Sequence, residues 1–114
     1  MKTYEVIPGE TAVAIFTRGG RFKLKQDGSG STGNWVISQR RKTDKVIIYK
    51  QDPEQGQHEI YVGLPVEIID SDEEGRREVR MKNIELVGTT SNNWNEFTGT
   101  KAGAVNPVKY IKWK

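Results

Sequence analysis

The chain contains no cysteine. That excludes a disulfide framework, a thiolate-ligated metal centre and a cysteine nucleophile. Histidine occurs once, at His58, so ordinary multi-histidine metal sites are excluded and acid–base chemistry has a single imidazole to use. His58 itself reads as a surface side chain. No segment approaches the ~18 consecutive apolar residues that a membrane-spanning helix needs. Met1-Lys-Thr-Tyr-Glu5 lacks the apolar core of a secretion signal, so a cytoplasmic location is the expectation. Apolar residues make up only 34% of the 114, enough for a thin core. The 12 glycines point to a turn-rich β architecture in one domain, residues 1–114, rather than a helix bundle.

Charge is unevenly spread. The net charge is +3, but residues 1–57 carry ten Lys/Arg against six Asp/Glu, residues 58–100 carry four against nine, and the tail from Lys101 carries four lysines and no acid. Basic ends around an acidic middle permit a positive face if the fold brings the ends together; a bland solvated surface has the same tally.

Period-2 patterning dominates the chain. Tyr4–Ile7 begins a candidate strand cut by the turn signal Pro8-Gly9, and Thr11–Phe16 is an apolar run of strand or helical-turn type. Arg21–Lys25 alternates charged and apolar residues, as a half-buried strand does. A polar loop, Gln26–Asn34, leads into a tryptophan-led strand, Trp35–Gln39. Lys45–Lys50 is dense in β-branched residues and reads as a central strand. Glu59–Ile69 reads as a long strand bent at Gly63-Leu-Pro65, and Asp70–Gly75 as a hairpin loop. The phase of Arg77–Val87 changes near Asn83, which predicts a bulge there. Thr90–Phe97 is the best short-helix segment, with Ser91 as N-cap and Trp94 and Phe97 on one face. Val108–Trp113 closes the chain as a strand. The expected fold is mainly β, a small barrel of six to seven strands with one or two short helices.

Trp35-Val-Ile, Asp44-Lys-Val-Ile-Ile-Tyr49, Ile60-Tyr-Val-Gly63 and Val66-Glu-Ile-Ile69 together resemble the PUA-like superfamily, and within it the EVE and ASCH domains. The resemblance covers about a third of the chain. It implies a compact mixed-strand β-barrel with small flanking helices, and a pocket that receives a nucleotide or modified base.

The aromatic residues Trp35, Tyr49, Tyr61, Trp94, Phe97, Tyr110 and Trp113 are candidate stacking surfaces, since bases stack on rings for roughly 1–3 kcal/mol each. Among them Trp35, Tyr49 and Trp94 are assigned to stacking or a pocket, with Asn92 and Asn93 as readers of a base edge. The opposing reading is that a small core short of leucine uses these rings as filling. Arg40, Arg41 and Lys42, at an expected hairpin, are assigned to phosphates, joined by Lys45, Lys50 and the tail lysines; charged hairpin tips also serve solubility alone.

Other motifs carry less. Gly28-Ser-Gly-Ser-Thr-Gly33 matches G-x-G-x-x-G but precedes a strand rather than a helix, so a mobile loop is expected in place of a dinucleotide site. Asp70–Glu74 lacks EF-hand spacing and reads as a solvated acidic turn. No nucleophile elbow is present, nor the nuclease pattern of paired acids followed by Glu-x-Lys. The expectation is a non-enzymatic module that binds RNA or DNA, including a modified base, with no cofactor and no membrane. The runner-up is a protein-interaction β-domain. An enzyme, such as a small-molecule hydrolase using Glu67 or Asp70, ranks third.

Overall fold

Strand β4, Lys45–Lys50, is the β-branched run of the sequence, and it lies in the interior of the sheet with both of its faces buried. The computed structural model describes residues 2–52, 54–99 and 106–112, without the side chains of Tyr4 and Lys112. In chain order the elements are α1 (Thr3–Val6), β1 (Thr11–Thr17), β2 (Phe22–Leu24), β3 (Gly30–Trp35), β4, β5 (His58–Asp70), β6 (Arg77–Thr90), α2 (Trp94–Thr98) and β7 (Val108–Lys112). They form one seven-stranded sheet in the order β2-β3-β6-β5-β4-β1-β7. β1 and β4 pair in parallel, Val13 opposite Val46, and every other ladder is antiparallel.

Alternation along β1 and β4 divides the apolar residues into two cores. Val13, Ile15, Val46 and Ile48 face an inner core with Val79, Met81 and Val108. Ala12, Ala14, Ile47 and Tyr49 face an outer core, covered by Ile7 and by Trp94 and Phe97 of α2. Among the described residues no helix covers the inner core. Instead the sheet curls across its own face, so that Phe22 of β2, Trp35 of β3 and Ile68 of β5 pack against residues of β1, β4 and β7.

The curl originates in the long hairpin β5–β6. Of the three register shifts in this pair, the later two lie between Val62 and Leu64 and between Pro65 and Glu67, and Asn83 adopts a positive φ of 51° opposite the former. Bulges of this kind bend a strand and raise its twist. β4 pairs with β5 only as far as Gly63. Beyond that point β5 has β6 on one side alone, so the missing N–H of Pro65 interrupts no ladder on the free side. The bend at Gly63–Pro65 and the bulge near Asn83 agree with the sequence.

Several elements differ from expectation. The sheet is not closed into a barrel: among the described residues no ladder joins β2 to β7. β2 has only three residues, and the connection 36–44 fills the space between the sheet's two ends. The expected loop 26–34 holds β3, and Trp35 ends that strand rather than opening one. Small side chains allow this close pairing: a Cβ at Gly30 would overlap the carbonyl oxygen of Lys23 on β2. Residues 3–6 form a helical turn rather than a strand, because Pro8-Gly9 reverses the chain before it can reach a ladder. His58 is buried, its Nδ1 accepting the Asp52 N–H at 3.0 Å. Asn93, not Ser91, caps α2: its side chain accepts the Glu96 N–H, and Glu96 accepts the Asn93 N–H in return. No helix among the described residues is long and apolar enough to cross a membrane.

Candidate functional site

The connection 36–44 is not a hairpin. It joins β3 to β4, which do not pair, and crosses the open end of the inner core. At its entry Ile37 is buried and its carbonyl accepts from Arg77 Nη1 at 2.6 Å. At its exit the Asp44 carboxylate accepts from the Thr11 N–H at 2.9 Å and the Thr11 hydroxyl at 3.0 Å. Those two bonds hold the Asp44 carboxyl below the usual carboxylate range. Between these anchors the Ser38 hydroxyl accepts the N–H groups of Arg40 and Arg41, each at 3.2 Å, forming a tight polar turn.

This loop and the free edge of β5 enclose a cleft of about 330 Å³. Gln39, Arg41, Lys42 and Thr43 form one wall, and Pro65 to Ile68 form the other. Val13, Val46, Val79 and Tyr110 supply an apolar floor. Gln39 Nε2 bridges the walls by donating to the Ile68 carbonyl at 3.1 Å. The Arg41 guanidinium lies 3.8 Å from the centre of the Tyr110 ring, a cation–π contact that fixes its direction. The Tyr110 hydroxyl is buried and has no hydrogen-bond partner among the described residues. Among those residues Arg40, Arg41 and Lys42 form no ion pair, whereas Arg21, Arg77 and Arg80 are each paired with carboxylates.

The eight residues singled out from the sequence fall into two groups. Arg40, Arg41 and Lys42 are exposed, and Arg41 and Lys42 line the cleft while Arg40 does not. Trp35 is half-buried against the same inner core, its Nε1 donating to Thr32 Oγ1 at 3.0 Å, and it lies outside the cleft wall. Tyr49, Asn92, Asn93 and Trp94 gather on the other side of the sheet, around α2. Tyr49 is 1% exposed, and its hydroxyl donates to the Asn92 carbonyl at 2.7 Å. Burial, with the charge of Glu96, pushes that hydroxyl up to about 12. Trp94 packs edge-on to Tyr49, and its Nε1 donates to the Asn106 carbonyl at 2.9 Å. Lys109 spans this cluster with its ammonium 5.3 Å from the Trp94 ring, and burial lowers its pKa. Trp113, Lys101 and Lys114 lie outside the described residues.

The separation follows from β4. Residues 46 and 48 point to the inner core and 47 and 49 to the outer one, so Tyr49 cannot share a pocket with Arg41. Reasoning from the sequence missed Gln39, Thr43 and the edge Pro65–Ile68 as site residues. Pro65 was the available signal, since proline inside a strand marks an unpaired edge. Among the described residues no cluster of three or more His, Asp or Glu side chains is placed to hold a metal. No family model, no curated protein and no solved structure matches this chain.

Proposed function

We infer that the protein is a non-enzymatic nucleic-acid-binding module of PUA-like type, in which the connection 36–44 holds backbone phosphates and the cleft beneath it receives one unpaired base. The observation that carries this reading is the placing of Arg41 and Lys42, which have no carboxylate partner among the described residues, at the mouth of a cleft floored by Val13, Val46, Val79 and Tyr110, with Arg40 exposed next to them in the chain. Phosphate contacts need cations on an anchored frame, and this loop is anchored at both ends. A base needs apolar surface for its faces and a few polar groups for its edge, which the valine floor and the side chains of Gln39 and Thr43 provide. The volume of about 330 Å³ lies at the small end of ligand sites and is ample for one base. The PUA-like assignment draws support from the mixed sheet curled around one inner core, to which every strand contributes a side chain.

Fluorescence anisotropy with labelled oligonucleotides across a salt series tests the reading. Affinity is expected to fall with salt, with a log–log slope of roughly −0.7 for each phosphate contacted on a single strand. Arg40→Ala with Lys42→Ala, both exposed, should reduce that slope while leaving the melting temperature unchanged. Salt-independent binding, or none at low salt, would refute it.

A second reading, docking of a protein partner, is favoured by Leu86 and Val87. These are 52% and 44% exposed on β6, and Val87 borders a shallow cleft with Val6, Val62 and Leu64. Leu86→Glu would abolish a pull-down under that reading and leave oligonucleotide binding intact under the first.

A further inference from the structure

On the outward face of the wing formed by β2, β3, β6 and β5 lies a second depression of about 480 Å³, bordered by Lys23, Lys25, Arg80 and Lys82, with Glu78 the one acid among the described residues of its lining. The ladder places Lys23 opposite Ser31, Ser31 opposite Arg80, and Arg80 opposite Glu67, a row across four strands. At ~4.8 Å between strands, Lys23 and Arg80 stand about 10 Å apart with only Ser31 between them. Ser29, Gly30 and Ser31 thus form a low floor between raised cationic sides. This is the structural use of the Gly-Ser run that resembles a phosphate loop in sequence. Arg80 is neutralised by Glu67 at 3.1 Å and Glu78 at 3.3 Å. Lys23, Lys25 and Lys82 are exposed and form no ion pair among the described residues.

Val66, at the register shift between Pro65 and Glu67, is 57% exposed and lines both depressions. Cations of the connection 36–44 stand on one side of it and those of the trough on the other, with no strand intervening. We propose that the two depressions form one track for a single-stranded nucleic acid, its base seated in the cleft and its backbone running over Val66 onto Lys23, Lys25 and Lys82. The proposal rests on the function inferred above and extends it from one nucleotide to a segment of several. Charge complementarity selects a polyanion, and a cleft sized for one base selects an unpaired strand, because a base within a duplex cannot leave its partner without cost.

The test compares the wild-type protein with Lys23→Gln/Lys25→Gln/Lys82→Gln in the same salt series, using labelled single-stranded oligonucleotides of about 2 and about 10 nucleotides. All three lysines are exposed, so the variant should fold. The longer oligonucleotide should bind about tenfold more weakly to the variant, with a salt slope smaller by about 2, while the shorter one binds both proteins alike. An unchanged affinity and slope for the longer oligonucleotide would overturn the track and leave the cleft reading standing. Failure of the wild type to bind either oligonucleotide would overturn both. Tighter binding of a duplex than of the single strand would overturn the single-strand assignment.

Discussion

Replacing Tyr110 by Phe should make the protein more stable. The hydroxyl is buried without a hydrogen-bond partner among the described residues, while the ring carries the Arg41 guanidinium and packs against the inner core. Phe keeps the ring and removes only the unsatisfied oxygen. A buried polar group without a partner costs about 1–3 kcal/mol. Tyr110 as a whole is only half-buried, so the low end, about 1 kcal/mol, is the expected gain. For a domain of this length that raises the melting temperature by roughly 3–6 °C. Tyr49→Phe is the control of opposite sign. Its hydroxyl donates to the Asn92 carbonyl at 2.7 Å in the outer core, and removing it should lower stability by about 1 kcal/mol. Thermal unfolding followed by circular dichroism reads both variants. The reasoning fails if Tyr110→Phe melts at or below the wild-type temperature, for then the hydroxyl is already satisfied in the folded protein.

Three further outcomes follow from the packing. Asn93→Ala removes the side-chain half of the capping box of α2 and should destabilise by about 1 kcal/mol, read by chemical denaturation; an unchanged midpoint would mean α2 is held by Trp94 and Phe97 alone. Gly30→Ala places a methyl against the Lys23 carbonyl and should cost about 1–3 kcal/mol as β2 is pushed from β3, visible as loss of amide protection in β2. Tyr49 gives the protein an alkaline limit. Its folded value of about 12 lies above the ordinary 10, so between these values the folded chain holds a proton the unfolded chain has released. That contribution is complete below pH 10 and is lost as pH rises towards 12. Stability measured over this range should fall less steeply in Tyr49→Phe, and equal slopes would count against the assignment.

What was legible in the sequence depended on whether its cause was local. β4 announced itself because Val46, Ile47, Ile48 and Tyr49 are all buried, and an unbroken β-branched run is the pattern of a strand covered on both faces. The bulge at Asn83 showed as a change of phase, and the shared face of Trp94 and Phe97 as a spacing of three. β3 did not show, because Gly30–Asn34 has no apolar alternation; its place is set by β2 and β6, which hold it on either side. The same dependence on distant partners hid the site. A tryptophan beside asparagines looks like a base reader, yet Asn93 spends its side chain on the Glu96 N–H and Trp94 its indole N–H on the Asn106 carbonyl. The cleft instead arises where β5 outruns β4 beyond Gly63, and where the connection 36–44 lies alongside the edge thus left free. Neither condition can be read from any window of the chain, because each compares the length or path of one segment with that of another remote in sequence. Only Pro65 pointed there locally: a residue that cannot donate to a ladder is tolerated in β5 because, among the described residues, no ladder runs on its free side, and that same freedom opens the space between Val66 and Arg41 of the connection.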